Sequence, residues 1–287
     1  MIHISVLLQE TISALDLENG EIFLDATIGG GGHSREVLRR FPKVKIVGLD
    51  RDRDAVLHAQ ELGIETRQES FRNLDQVLKK LSVGEVDAIL FDLGISSDQL
   101  EHSGKGFSFL RDEPLDMRMS AEGIMAKDLL NSWDESALEV VLRGFGEEKF
   151  SKKIAREIVL RRQRKPFETT FDLVDTVLKV RPRTFRDKIH PATKTFQALL
   201  IAVNDELTAL EHGLEKGFRV LKEEGRFVVI SFHSGEDRIV KNFFRDRIKE
   251  GSARRVGKRI KPITASKEEM ERNPRSRSAK LRVIEKI

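Results

Sequence analysis

The chain contains no cysteine. Disulfides, thiolate metal ligands and a cysteine nucleophile are therefore all excluded. No apolar run approaches the roughly 18 residues that a membrane-spanning helix needs. The N-terminal stretch MIHISVLLQE has neither the basic start nor the small-residue cleavage site of a secretory leader. A cytoplasmic protein with no membrane partner is expected. No internal repeat or low-complexity segment interrupts the chain, and 39% hydrophobic content over 287 residues can fill the core of one large domain or two modest ones. The histidines show no H-x-x-x-H or comparable spacing, so no metal site is expected.

An excess of one charge is also nearly absent, because 51 basic residues face 47 acidic ones. Net charge thus says little about partners, whereas local clusters say more. ARRVGKRIK carries Arg254, Arg255, Lys258, Arg259 and Lys261 with no acid, and RPRTFRDKIH adds Arg181, Arg183, Arg186 and Lys188. Each can be an ordinary solvated face; two together favour a polyanionic partner.

What is present from residue 22 to 93 is an alternation of short apolar runs with amphipathic stretches. EIFLDATIG, KIVGLDRD, IETRQES and VDAILFDLG read as strands, separated by helices over 33–41, 54–62 and 73–81. Such βαβα order predicts a parallel sheet covered by helices on both faces. Right-handed crossovers bring the glycine-rich loop after the first strand, Asp50 and Asp92 to one edge. From about residue 121 to 221 the pattern is helical. Phe150, Ile154 and Ile158 mark one apolar face, and a single long helix after Pro191 is expected to turn Phe196, Leu199, Leu200, Val203, Leu207 and Leu210 inward. GRFVVISFHS then reads as a buried strand, 236–249 as an amphipathic helix and AKLRVIEKI as a last strand.

Four consecutive glycines, Gly29 to Gly32, allow positive φ and let a ligand approach the main chain. A plain flexible turn is the alternative. A nucleoside triphosphate would need a lysine that is missing after the glycines, and the third glycine of a dinucleotide fingerprint would fall on Ser34. S-adenosylmethionine, which has no phosphate, fits a loop of this kind. Asp25 is placed to face its ammonium group, a helix start capped by Ser34 its carboxylate, and Asp50, 21 residues after Gly29, its ribose hydroxyls. Asp92 ends the fourth strand in ILFDLG. Each aspartate can instead be a cap or an ion-pair partner.

VLLQE, DATIGGGGHS, GLDRD, FDLGISSDQL, GFSFLRDEPLDMRM, FGEEKF, HPATKTFQALLIAVNDEL and SFHSGEDRIVK, in that order, resemble the signature segments of the ribosomal RNA small-subunit methyltransferase H family over nearly the whole chain. The resemblance implies an α/β, Rossmann-like class I S-adenosylmethionine-dependent methyltransferase sheet with a helical insertion domain after strand 4. Residues 1–108 and 206–287 would form the methyltransferase domain and 109–205 the rRNA-recognition insertion. It implies methyl transfer to N4 of a cytidine in the decoding centre of small-subunit rRNA, within the 30S subunit, by a monomer or homodimer.

Carried over residue by residue, the cofactor contacts are Gly31, Gly32, His33, Asp50, Phe71, Asp92 and Gln99, with Phe71 flanking adenine; the residues themselves add Asp25 to this set and make Asp92 the first candidate to accept an N4 hydrogen. Candidate substrate contacts are Phe107 and Phe109 for base stacking, Arg111, Arg118, Arg183 and Lys194 for phosphate, and His233. Two positions depart from the family pattern: Ser5 stands where proline is usual, and Gly235 where a larger apolar residue is usual. A dinucleotide-dependent oxidoreductase and a non-enzymatic RNA-binding assembly factor remain the rival readings.

Overall fold

The computed structural model describes residues 5–96, 100, 103–120, 122–257 and 261–287. The chain separates into two compact units, one formed by residues 1–94 and 207–287 and the other by 95–206.

The first unit is built on strands β1 (Ile22–Asp25), β2 (Lys45–Asp50), β3 (Glu65–Gln68), β4 (Val86–Asp92), β5 (Leu221–Ser231), β6 (Ala253–Arg255) and β7 (Lys280–Lys286). They form one sheet in the order β3-β2-β1-β4-β5-β7-β6. β1 to β5 run parallel, and β7 enters antiparallel between β5 and β6. The chain leaves β1 toward β2 and β3, then crosses back to place β4 on the other side of β1. The carboxyl ends of β1 and β4 thus flank the topological switch point, where ligands of open α/β sheets bind.

Period-2 alternation sends neighbouring side chains to opposite faces, and both faces are buried here. Leu24, Phe91 and Val229 join the core on one face, Phe23, Leu90 and Val228 that on the other. Helix α1 (Leu8–Leu15), where the sequence pattern assigned no element, adds Ile12 and Leu15 to the second core. Helices α2 (Gly32–Arg40), α3 (Arg53–Glu61) and α4 (Leu74–Lys80) connect the first four strands.

The second unit contains α5 (Ala126–Ser132), α6 (Glu135–Gly144), α7 (Ser151–Arg162), α8 (Thr170–Val180) and α9 (Thr193–Asn204) around Leu129, Leu142, Ile154, Ile158, Leu173 and Leu199. It begins at Ile95, ahead of the border expected at 109, because the intervening segment folds with the helices. Met117 N–H donates to the Lys105 carbonyl at 2.7 Å, and Gly106 packs so tightly on Pro114 that a β-carbon would lie 2.3 Å from its carbonyl oxygen. Met117 itself adopts φ 60, and the buried Asn204 side chain secures that bend by donating to its carbonyl at 2.8 Å and accepting from Met119 N–H at 2.9 Å. Phe150 stands ahead of α7 rather than on its buried face and is partly exposed.

The long helix expected after Pro191 is two helices. Asp205 takes a left-handed conformation, φ 49, and ends α9 before α10 (Glu206–Val220) begins. An aspartate tolerates that geometry, and hydrophobic spacing alone carries no trace of it. Within the first unit α10 lies close on the sheet through two glycines one turn apart. A β-carbon on Gly213 would lie 2.6 Å from the Phe71 ring and 3.0 Å from Phe91; one on Gly217 would lie 2.8 Å from Phe227. Helix α11 (Ser234–Lys249) and the short α12 (Lys267–Arg272) complete the unit.

The close approach at Gly213 predicts that Gly213→Val, which overpacks the Phe71 and Phe91 rings, lowers stability by about 1–3 kcal/mol. Urea unfolding should show the midpoint falling with little change in slope.

Candidate active site at the carboxyl edge of the sheet

The loop after β1 makes two left-handed steps, at Gly29 (φ 48) and Gly31 (φ 69). Gly31 is the N-cap of α2, and a β-carbon there would lie 2.9 Å from Leu62 Cδ1, so backbone conformation and space both call for glycine. Gly29 N–H donates to Asp50 Oδ2 at 2.9 Å, and Asp52 N–H donates to the other oxygen at 2.9 Å. The loop and the end of β2 therefore hold each other in place.

Ser34 does not cap the helix. It lies inside α2 and its hydroxyl donates to Asp25 Oδ2 at 2.6 Å, while Thr27 N–H reaches Oδ1 at 3.4 Å. The Thr27 hydroxyl in turn accepts from Asp92 N–H at 2.6 Å. Asp25 is 2% exposed, and burial pushes its carboxyl up to about 6 against those two donors. Burial also raises Asp50, and it raises Asp92 well above the ordinary carboxylate range, with the charges of Asp25 and Glu236 adding to the shift. Asp92 Oδ1 is buried with no hydrogen-bond partner. The edge therefore gathers acids whose charges oppose one another, a setting that favours a cationic ligand.

His33 is buried beside them. Its Nε2 lies 3.1 Å from the Val6 carbonyl, which can only accept, so Nε2 carries a proton. Its Nδ1 faces Asp92 Oδ2 at 3.6 Å. That contact is attractive when the pair holds a further proton, as imidazolium and carboxylate or as imidazole and carboxylic acid.

Phe71 stacks on Phe91 with ring centroids 4.9 Å apart and is only partly buried, so one side of its ring belongs to the core. Gln99, expected to contact the cofactor, lies outside the described residues, as do Lys258 and Arg259 of the C-terminal basic cluster. His233 is the N-cap of α11. Its Nδ1 accepts from Gly235 N–H at 3.2 Å and Glu236 N–H at 3.4 Å, and the Glu236 carboxylate accepts from Phe232 N–H at 2.8 Å. A β-carbon at Gly235 would press to 3.1 Å on the His233 ring, so glycine accommodates the capping imidazole. Ser5, the other departure from the family pattern, is buried.

The remaining candidates belong to the helical unit. Phe107 is buried, and Phe109 packs on His190 and Phe196 with centroids at 4.9 and 5.0 Å, so both rings serve packing. Arg118 forks onto Asp116, Nε to Oδ1 at 2.7 Å and a terminal nitrogen to Oδ2 at 2.9 Å. Lys194 donates to the Glu147 carbonyl at 2.8 Å. Arg111 and Arg183 are exposed. In the C-terminal basic cluster Arg254 pairs with the buried Glu285. Sequence reasoning missed the Ser34 and Thr27 hydroxyls that organise Asp25 and Asp92, for which a hydroxyl near a strand end is no signal. His233, expected as a substrate contact, instead caps α11, which starts at Ser234 ahead of the expected 236.

The strand order with its antiparallel β7, and the glycine loop between acid-bearing strand ends, define the Rossmann-like fold of the class I S-adenosylmethionine-dependent methyltransferases. Residues 1–287 match the model of the MraW methylase family, and the chain belongs to that family. Proteins similar to it include ribosomal RNA small subunit methyltransferase H of Clostridium botulinum strain Kyoto, 43% identical over 99% of each chain. The protein of the same name from Sulfurihydrogenibium sp. is 46% identical, again over 99% of each chain. An rRNA methylase structure from Streptococcus thermophilus aligns over 100% of this chain and 99% of that one at 12% identity, with a TM-score of only 0.45. No helix among the described residues is long and apolar enough to cross a membrane.

The raised carboxyl of Asp25 makes stability depend on pH. An acid whose folded pKa exceeds its unfolded value binds more protons when folded, so its contribution is present below the unfolded value of 3.8 and lost as pH rises through about 6. Between pH 4 and 7 wild type should lose about 2 kcal/mol relative to Asp25→Asn. Parallel urea titrations at the two pH values check this, and curves that stay parallel would mean that Asp25 is ionised throughout.

Proposed function

We propose that this protein transfers the methyl group of S-adenosylmethionine to the exocyclic N4 of a cytidine in small-subunit rRNA, within the decoding centre of the 30S subunit. The observation that carries this reading is Asp92 at the switch point, a partly buried carboxylate with Oδ1 unpartnered, at the edge where the glycine loop and two further acids converge. Family membership and the similar rRNA methyltransferases support the reaction class and the RNA.

The residues suit the cofactor. Asp25 and Asp92 offer acid to a cation, the left-handed Gly31 leaves the main chain bare at the start of α2, and Asp50 holds two backbone donors yet keeps lone pairs for two ribose hydroxyls. Gly32, His33 and the partly exposed side of Phe71 would complete the contact, with Gln99 from the family pattern. When bound, S-adenosylmethionine supplies a methyl group on a positively charged sulfur.

The protein's own task is positioning, because the N4 lone pair of cytosine is delocalised into the ring and must be turned toward the donor. The Asp92 carboxylate accepts an N4 hydrogen, which fixes the amine and stabilises the positive charge developing on nitrogen. Positive charge arriving at the edge favours the ionised form of Asp92, so the acceptor is strongest when donor and acceptor are both in place. The carbonyls of Leu93 and Gly94, next along the chain, can share the amine. Proton loss follows methylation, since the alkylated nitrogen is acidic enough for water to remove its proton.

In the helical unit Arg111 and Arg183, both exposed, would hold RNA phosphates; Arg118 is forked onto Asp116 and Lys194 donates to the Glu147 carbonyl. Whether the protein acts as a monomer or a homodimer does not alter this chemistry.

Incubation of small subunits lacking the modification with methyl-labelled S-adenosylmethionine, followed by nucleoside analysis, should yield N4-methylcytidine at a single site. Label on another atom would overturn the acceptor assignment. Asp92→Ala should lower the rate by about tenfold to a hundredfold, the loss of one hydrogen bond to a charged group of about 1.5–3 kcal/mol. Normal turnover would remove Asp92 as the acceptor. Binding to rRNA should weaken steeply with added salt, and a flat salt response would count against phosphate contacts by Arg111 and Arg183.

A further inference from the structure

Base stacking was expected from Phe107 and Phe109, and the fold uses both for packing. Among the described residues of the helical unit Phe171 and Phe150 are exposed in part, and the most open ring is Phe185, 94% accessible. It stands at the tip of a turn, residues 184–187, that the chain braces with care. Asp187 N–H donates to the Thr184 carbonyl at 3.1 Å, closing the turn. Asp187 Oδ2 accepts from Thr184 N–H at 2.8 Å and from its hydroxyl at 3.0 Å. Asp187 Oδ1 accepts from Arg181 at 2.5 Å. Those bonds anchor both ends of the turn and leave Phe185 and Arg186 facing solvent.

The charge around the ring is of one sign. Asp187 is committed to Arg181 and Thr184, whereas exposed Arg183, Arg186 and Lys188 have no ion-pair partner among the described residues. Arg183 is near enough that its charge, together with burial, holds His190 below its ordinary value. The Arg186 guanidinium lies 5.3 Å from the centre of the Phe185 ring. That geometry places a cation beside an otherwise open π-face.

We propose that Phe185, presented with Arg186 on this braced turn, is a stacking platform for an unpaired nucleotide of a single-stranded RNA segment. A flat open ring beside cations matches a nucleobase linked to phosphates. A bare apolar patch for a protein partner would not need three unpaired cations around it. Stacking requires a base whose face is free, so the partner is a loop, bulge or strand end rather than a paired helix. The proposal rests on the reading of the protein as an rRNA methyltransferase and adds to it a residue of the helical unit that touches RNA.

The test uses fluorescence anisotropy with a labelled single-stranded oligouridylate and a fully paired RNA hairpin. Because the ring is exposed, substitution leaves the fold intact. Phe185→Ala and Phe185→Leu should each weaken oligouridylate binding by about tenfold, with Phe185→Trp retaining it and hairpin binding unchanged in all three. In the same preparations, KM for unmodified small subunits should rise in Phe185→Ala while kcat stays near wild type.

Wild-type affinity in Phe185→Ala would overturn the proposal. So would full affinity in Phe185→Leu, which would identify an apolar protein-docking contact, or a wild-type dimer that Phe185→Ala dissociates in sedimentation, which would identify a second copy of the chain as the occupant. Failure of wild type to methylate small subunits would overturn the methyltransferase reading, and the oligouridylate comparison would still decide the stacking role.

Discussion

Carboxylates buried at the end of a parallel sheet are the constraint around which the first unit is organised. A charged carboxylate removed from water is costly unless donors or a cation compensate it. The chain supplies part of that compensation from its own groups: the Ser34 hydroxyl for Asp25, the amides of Gly29 and Asp52 for Asp50, and His33 facing Asp92. What remains is a set of acids held above their ordinary range. A donor molecule that carries positive charge on sulfur is attracted by those same acids.

The rest of the unit follows from keeping those acids in register. Pairing of Asp25 with Gly48 and Leu90 fixes β1 between β2 and β4 and sets the three strand ends on one edge. Glycines on α10 let that helix descend onto Phe71, Phe91 and Phe227, so the ring expected to flank adenine is supported from behind by the core. On the far side of the sheet, β7 is inserted between β5 and β6, and its Arg282 and Lys280 hold Asp237 of α11 at 2.7 and 3.0 Å. That ion-paired seam steadies the helix whose first turn carries His233 and Glu236.

The helical unit divides its charges differently. Arg118, Arg161 and Arg181 are engaged by Asp116, Asp172 and Asp187. These pairs shape the segments between helices, and their arginines are occupied before any partner arrives. Arg183, Arg186 and Lys188, with no ion pair among the described residues, lie on the turn after α8, where a phenylalanine is also exposed. A mixed-charge composition thus hides a local division between structural arginines and those free to meet phosphate.

Sequence by itself determined the alternation of strands and helices through residue 93, the sheet edge shared by the glycine loop, Asp50 and Asp92, and the family. Those depend on local periodicity, strand direction and motif order, all of which a one-dimensional pattern records. Only the tertiary structure decided that the helix after Pro191 breaks at Asp205, that β7 turns antiparallel into the sheet, and that Ser34 serves Asp25 instead of the helix start. It also decided which aromatic rings are free. Phe107, Phe109 and Phe185 are the same residue type in similarly basic surroundings, and exposure depends on neighbours distant in the chain: His190 and Phe196 cover Phe109, whereas nothing packed by the fold covers Phe185. Burial is a property of what surrounds a side chain, and those surroundings exist only once the chain has folded.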